Sequence, residues 1–351
     1  MTDDREQPHP TVEPATPKRR RRGGVRHRKQ RDASLPPGHA PKEREALRPS
    51  ARRRGPMTST RAPEYLVIGH ICADIQADGT ASLGGTALYS ALTAANLGCS
   101  VGVITRGRYG TEVDGIQIPG LEQFADRMQI IVQDAEGPTF FVNEYQGGRR
   151  TQMVRRWAGE IDLQGLPPHW LNSKIIHLGP VAREIDQRQT TILQPEFLGA
   201  TPQGWMREWP ANGGRVKHVP LRIVPELLSR LDAIIVSDEE IAAAREPVEW
   251  VGERRLGVIT LGDKGARIIF GGQKAELPEF PLPTVDLTGA GDVFAAAFFI
   301  KAADRNASAY DAARFANATA ALSLRGHAHS TVPTMKEVED LLATKSDITR
   351  R

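Results

Sequence analysis

The stretch Val285-Asp286-Leu287-Thr288-Gly289-Ala290-Gly291-Asp292-Val293-Phe294 constrains this chain more than any other. A strand-like approach through Pro281 runs into a turn of small residues, and an apolar helical pattern begins at once. Val293, Phe294, Ala297 and Phe298 recur at helical spacing and make one face of a helix. Gly289, Ala290 and Gly291 therefore fall before or within the first helical turn. Backbone N–H groups there lack intrahelical partners, and the helix dipole favours an anion. Glycine lets a bulky anion approach the backbone closely. Asp292 then stands beside that anion, where a carboxylate is repelled unless it has a task. Two readings are open from the stretch alone. Asp292 takes a proton from a hydroxyl that attacks a phosphoryl group, or it caps the helix.

The rest of the body supplies the scaffold. Tyr65 to Gly69 reads as a buried first strand, with Asp74 placed where a strand end meets a cleft above a parallel sheet. A plain surface turn is the alternative for Asp74. No G-x-G-x-x-G follows the strand, which argues against a Rossmann dinucleotide site. Gly84-Gly85 opens a helix whose Leu88, Ala91, Leu92 and Ala95 share a face, ending at Gly98. Further strands are expected at 101–105, 174–178, 191–193, 231–237, 258–261 and 266–270. Helices are expected at 184–190, 238–245, 310–324 and 335–343. Strands alternating with helices predict a mostly parallel sheet covered on both faces. Residues 130–133, 139–145 and 151–154 read as a hairpin system with Gly147-Gly148 at a turn, suited to a small lid near 130–155. Trp205 and Trp209, four apart, fit one helix face on the core.

Charge divides the chain. Residues 1–62 hold 17 Lys and Arg against 7 Asp and Glu, leaving 29 basic and 35 acidic residues in the rest. The basic segment, rich in Pro, Arg and Ser, cannot bury enough apolar surface to offset its ordering entropy and is expected to be disordered. It could bind RNA or an acidic surface, or do nothing specific. Met57 is an alternative start of translation, which would remove residues 1–56. The mildly acidic body gives no reason to expect nucleic acid. Cys72 and Cys99 make no disulfide framework or metal spacing and read as buried small side chains. With no long apolar run and no signal-peptide pattern, a cytoplasmic protein is expected. His327 and His329 read as a solvated loop.

Over residues 64–343 the sequence resembles the ribokinase-like (PfkB) family of carbohydrate and nucleoside kinases. The most specific part is Asp286-Leu-Thr-Gly-Ala-Gly-Asp292-Val-Phe294, close to the family signature D-T-x-G-A-G-D-x-F. Val67-Ile-Gly69 with Asp74, Gly84-Gly85, Thr260-Leu-Gly-Asp-Lys-Gly265 and Phe315-Ala-Asn317-Ala follow the family's order. The resemblance implies a three-layer αβα sandwich with a mostly parallel sheet and a small β lid, over residues 63–345. It implies an ATP-dependent kinase using Mg²⁺, with K⁺ or another monovalent cation as a further partner. Asp292 would be the catalytic base, and the Gly289, Ala290 and Gly291 amides an anion hole. Asp74, Gly84, Gly85, Tyr89 and Gln203 would line the acceptor pocket. Ser237, Thr260, Gly262, Gly265 and Asn317 would hold the nucleotide. Glu240 would organise Mg²⁺ through water, and Asp286, Thr288 and Ser330 would face the monovalent cation.

Departures from the family pattern narrow the reading. Tyr89 stands where the family has Asn, and Ser237 replaces the Asn of N-x-x-E. Only nine residues separate Asp74 from Gly84, which predicts a small lid without its usual two strands there; monomer and dimer stay open. The short link, Gly-His-Ile-Cys-Ala-Asp74 and Thr201-Pro-Gln203-Gly-Trp205 with Arg207 are most similar to the myo-inositol kinase branch. A sugar or polyol acceptor is expected, with myo-inositol as the lead. A nucleoside kinase and a catalytically weak sensor on the same fold are the alternatives.

Overall fold

The computed structural model describes residues 61–76, 78–146 and 149–346. The expected disorder of the basic segment and the Gly147-Gly148 turn fall on residues outside these, apart from 61 and 62. In chain order, β1 (Tyr65–Ile68), β2 (Cys72–Ile75) and β3 (Ala81–Gly84) precede α1 (Thr86–Asn96) and β4 (Val101–Gly107). Next come β5 (Gln129–Asp134), β6 (Phe140–Gln146), β7 (Arg149–Arg156), β8 (Ile175–Leu178), β9 (Phe197–Ala200) and the two-residue β10 (Gly214–Arg215). After β11 (Ala233–Ser237) and α2 (Ile241–Arg254) follow β12 (Leu256–Thr260), β13 (Ala266–Phe270) and β14 (Gln273–Leu277). Helices α3 (Ala290–Ala302), α4 (Ala309–Ser323) and α5 (Met335–Ser346) close the described chain.

The central sheet has nine strands in the order β14-β13-β12-β11-β9-β8-β1-β4-β5. From β12 to β5 every pairing is parallel; β13 and β14 add an antiparallel edge. The side-chain period of two decides the layers. Tyr65 and Val67 of β1 join a core with Leu88 and Leu92 of α1, Phe298 of α3 and Phe315 of α4. Leu66 and Ile68 point the other way, into a core with Trp170, Leu193 and Val248 and Val251 of α2. A buried strand apolar on both faces needs helices on both sides, and this chain supplies them. The expected three-layer α/β architecture is the observed one.

A second sheet, ordered β10-β7-β6-β2-β3, stands apart from the first. It corrects the lid expectation twice. Residues 129–134 belong to the central sheet, paired in parallel with β4; alternation alone does not say which sheet an edge strand joins. The short link between Asp74 and Gly84 does carry two lid strands, because β2 and β3 are four residues each and pair antiparallel. The lid thus has five strands.

Smaller corrections have local causes. Residues 191–193 are not a strand: Gln187–Ile192 form a 3-10 turn capped by Asp186, and the strand comes later, at β9. Trp205 and Trp209 share no helix. Trp205 sits in the turn Gln203–Met206 and donates to the Ile185 carbonyl at 2.9 Å, while Trp209 packs edge-on against Trp157. Cys72 is buried, Cys99 only half so. Among the described residues no helix is long and apolar enough to cross a membrane.

Candidate active site

Gly289 is the N-cap of helix α3; its φ of 79° is left-handed, and no side chain caps the helix. Gly289 has a second constraint: a Cβ there would lie 2.3 Å from Cδ1 of Tyr89. The turn is held against the α1 tyrosine, so only glycine combines this dihedral with this approach. The uncapped first turn leaves helix-dipole N–H groups facing outward. One is engaged already, since Ala290 N–H reaches the Leu287 carbonyl at 3.3 Å. The Gly291 position is open, with nothing within 4 Å of a Cβ built on it.

Asp292, in the first turn of α3, does not use its carboxylate as a cap. Its Oδ1 accepts a hydrogen bond from Thr86 Oγ1 of α1 at 2.7 Å. Burial pushes its pKa up to about 6; the Thr86 bond pulls down, nearby Glu240 pushes up, and Arg207 pulls down. A carboxyl poised near neutrality between a helix N-terminus and a cleft suits proton transfer.

Two cavities meet at this residue. The larger, about 800 Å³, is lined by Asp74, Gln76, Ser82, Tyr89, Asn143, Gln152 and Arg207, with Asp286 and Thr288 at one side. The smaller, about 190 Å³, is lined by Thr201, Ser237, Glu240, Thr260, Ala290 and Gly291. Thr86, Gln203, Leu287, Gly289 and Asp292 line both. The lid sheet roofs the larger cavity through β2, β3, β6 and β7. Asp74 sits on β2, close enough to β3 that a Cβ on Gly84 would lie 2.4 Å from its Oδ2. Gly84 is thus required by its carboxylate neighbour and does not itself line the cavity, whereas Gly85 does. Tyr89 lines it too, and burial together with Asp292, Asp286 and Asp74 raises its pKa.

Glu240 is fixed from two sides. Its Oε2 accepts from Ser237 N–H at 2.9 Å, and its Oε1 from Gln203 Nε2 at 2.8 Å. The side chain expected in the acceptor pocket, Gln203, therefore orients the carboxylate of the smaller cavity as well. Among the described residues no three His, Cys, Asp or Glu side chains converge as a metal cage. A carboxylate held by two donors at the cavity wall fits an outer-sphere role towards a hydrated Mg²⁺. Asp286 accepts from Thr288 N–H at 2.9 Å, in an exposed loop. Ser330 is turned elsewhere, donating to the His327 carbonyl at 2.6 Å, and lines neither cavity.

Gly262, Gly265 and Asn317 also lie outside both linings. Gly262 and Gly265 shape the turn between β12 and β13. The Asn317 amide is buried and donates to Pro278 O at 3.0 Å and Leu277 O at 3.4 Å. It fastens α4 to the end of β14. His329 is half-buried, edge-on to Phe124 and Tyr89, so it is not a solvated loop residue.

The residues that sequence reasoning missed are Thr86, Arg207 as a cavity wall, and the lid amides Asn143 and Gln152. Arg207 is buried, donates to Val181 O at 2.8 Å and lies 5.5 Å over the Phe141 ring. Gln152 donates to Asn143 at 3.3 Å across β6 and β7. The alternation of β6 puts Asn143 opposite Val142, a signal that was available for the lid face.

A parallel sheet flanked by helices, a separate β lid and a Gly-Ala-Gly-Asp helix start between two cavities define a ribokinase-type fold. Solved structures agree on the fold: a pyrophosphate-dependent kinase of the ribokinase family, complexed with a pyrophosphate analog and myo-inositol, superposes with a TM-score of 0.62 at 21% identity, covering 78% of this chain and 99% of that one. Ribokinase of Arabidopsis thaliana, complexed with ribose and ATP, gives 0.55 at 20% identity, covering 80% and 99%. Residues 226–335 match the family model described as pfkB family carbohydrate kinase. Over those residues the chain is similar to the pfkB family. Among curated relatives, ribokinase of Bacillus subtilis is 43% identical over 86 residues, 24% of this chain and 29% of that protein. Inositol 3-kinase of Oryza sativa is 39% identical over 89 residues, 25% of this chain and 22% of that protein. The matched stretches thus span less than a third of either relative.

Proposed function

We propose that the protein is a phosphotransferase that moves the γ-phosphate of ATP to a hydroxyl of a sugar or polyol. The observation that carries this reading is the place of Asp292: a carboxyl with a pKa near 6, at an uncapped helix start, where two cavities meet. The larger cavity takes the acceptor. Its wall of Asp74, Gln76, Ser82, Asn143 and Gln152 is rich in hydrogen-bonding side chains, as a polyhydroxylated molecule needs. The smaller cavity takes the phosphate chain, with the nucleoside expected along the Thr260–Gly265 turn towards Asn317.

In this mechanism Asp292 accepts the acceptor's hydroxyl proton as the oxygen attacks phosphorus. The Gly289–Gly291 turn receives charge that develops on the transferred group. Ser237 and Glu240 hold the donor side, Glu240 through water towards Mg²⁺, which when bound neutralises phosphate charge. Asp286 and Thr288 would face a monovalent cation, whereas Ser330 lines neither cavity. The likeness of Gly-His-Ile-Cys-Ala-Asp74 and Thr201 to Arg207 to the inositol kinase branch, with the inositol 3-kinase match, makes a myo-inositol-like acceptor the lead.

The test is phosphoryl transfer by the full chain, followed by ³¹P NMR. Mg-ATP would be offered with myo-inositol, ribose, fructose and cytidine, and pyrophosphate would replace ATP in a parallel series. One acceptor phosphorylated with ATP, and lost in Asp292→Asn, is the expected result. Transfer from pyrophosphate alone would overturn the donor assignment. Selective phosphorylation of cytidine would overturn the sugar or polyol class.

A further inference from the structure

Thr86 is the first residue of α1, directly after the Gly84-Gly85 pair, and it is buried. Its two branches have separate surroundings. The methyl packs onto Gly179 at the end of β8, where a Cβ would come within 2.6 Å of Thr86 Cγ2. The hydroxyl donates to Asp292 Oδ1 at 2.7 Å. A β-branched side chain has few χ1 choices, and here the methyl's seat on Gly179 selects the one that aims the hydroxyl at the carboxylate. A second α1 residue supports the same turn, Ser90 Oγ donating to the Asp292 carbonyl at 3.3 Å. Thr86 also lines both cavities, so it stands where acceptor and phosphate chain would meet.

We infer that Thr86 is a positioning residue: it holds one oxygen of the partly buried Asp292 so that the other faces the acceptor hydroxyl, and it favours the ionised carboxylate. This rests on Asp292 as the base. The hydroxyl stabilises the charged carboxylate against desolvation, so its loss should raise the Asp292 pKa.

The test needs no substrate. Full-length protein labelled with ¹³C at aspartate Cγ is titrated by NMR, and Asp292→Asn identifies the resonance. In Thr86→Val, which keeps the seat on Gly179 and removes the hydroxyl, the Asp292 midpoint should rise by about one unit. Thr86→Ser, which restores the hydroxyl and removes the methyl, should bring it back most of the way. An unshifted midpoint in Thr86→Val would overturn the inference, and so would an equal shift in both variants, which would assign the effect to packing. Activity separates this from the base role. If Asp292→Asn is inert and Thr86→Val turns over at the wild-type rate with an unmoved acid limb, only the Thr86 role fails. If Asp292→Asn keeps its turnover, the base itself fails, whatever Thr86 does to the midpoint.

Discussion

At the scale of single residues, Asp292 couples function to stability with opposite signs. Its folded pKa of about 6 lies above the ordinary carboxylate value, so ionisation in the native state is disfavoured relative to the unfolded chain. That cost is fully present above about pH 6 and is relieved as pH falls towards about 4, where the carboxyl is protonated in both states. Asp292→Asn removes the cost and can still accept from Thr86. It should therefore be more stable than wild type at pH 7.5 by an amount on the order of 2 kcal/mol. Its turnover should fall at least ~10²-fold, the low end for loss of a general base. The stability gap should shrink when the unfolding titrations are repeated at pH 4. A variant less stable than wild type at pH 7.5 would mean that Asp292 is not held in a disfavoured charge state. The same pKa sets the acid limb of kcat/KM near pH 6, with activity rising as Asp292 loses its proton.

At the scale of elements, the start of α3 separates two glycines that the sequence presents as equivalents. Gly289 needs its left-handed dihedral and its contact with the Tyr89 ring. Gly289→Ala should destabilise the fold by at least about 1 kcal/mol from the dihedral alone, and displace the turn. Gly291 is helical, and a methyl there meets no protein atom. Gly291→Ala should therefore melt at or above the wild-type temperature, because alanine is the better helix former, yet lose turnover where the methyl obstructs the phosphoryl group. Wild-type turnover in a well-folded Gly291→Ala protein would exclude this turn as the place where the phosphate is received. Sequence reading reached the helix, its start and its aspartate, since those are local patterns. It could not reach the partners. Thr86 and Asp292 are 206 positions apart, and Tyr89 meets Gly289 across a similar distance. The lid failed for a related reason: a strand's pattern records that one face is buried, and says nothing of which sheet buries it. Asn317 shows the converse, a residue found by resemblance whose amide holds α4 to the β14 end.

At the scale of the whole molecule, the two cores flanking the sheet are apolar except for a few buried polar groups, and those make global stability depend on pH. His177 lies at the middle of the sheet, in β8. Its Nδ1 meets Tyr65 Oη at 2.9 Å and its Nε2 meets Thr201 Oγ1 at 2.8 Å, with Phe299 edge-on at 4.9 Å. Burial lowers its pKa to about 3, so the fold requires the neutral ring, with one nitrogen donating and the other accepting. The unfolded chain protonates this histidine near pH 6.5. Its contribution is therefore complete above about pH 6.5 and is lost progressively as pH falls towards about 3. His70, also buried with a lowered pKa, acts in the same direction. Asp292 acts in the opposite direction over part of the same range, as does Asp232, whose carboxyl pKa burial also raises, while the half-buried His329 adds to the two buried histidines. Net stability should therefore decline between pH 6.5 and 4, steeply enough to appear in urea titrations at half-unit steps. His177→Gln isolates the central term. The variant should be less stable at pH 7.5, because glutamine cannot match both partners of the ring, yet its stability should fall less than wild type's across that window. Parallel curves for the two proteins would show that His177 does not set the acid response, and would move it to His70 or to the carboxylates. A converging pair of curves would tie the acid limit of the fold to a ring whose Thr201 partner lines the smaller cavity.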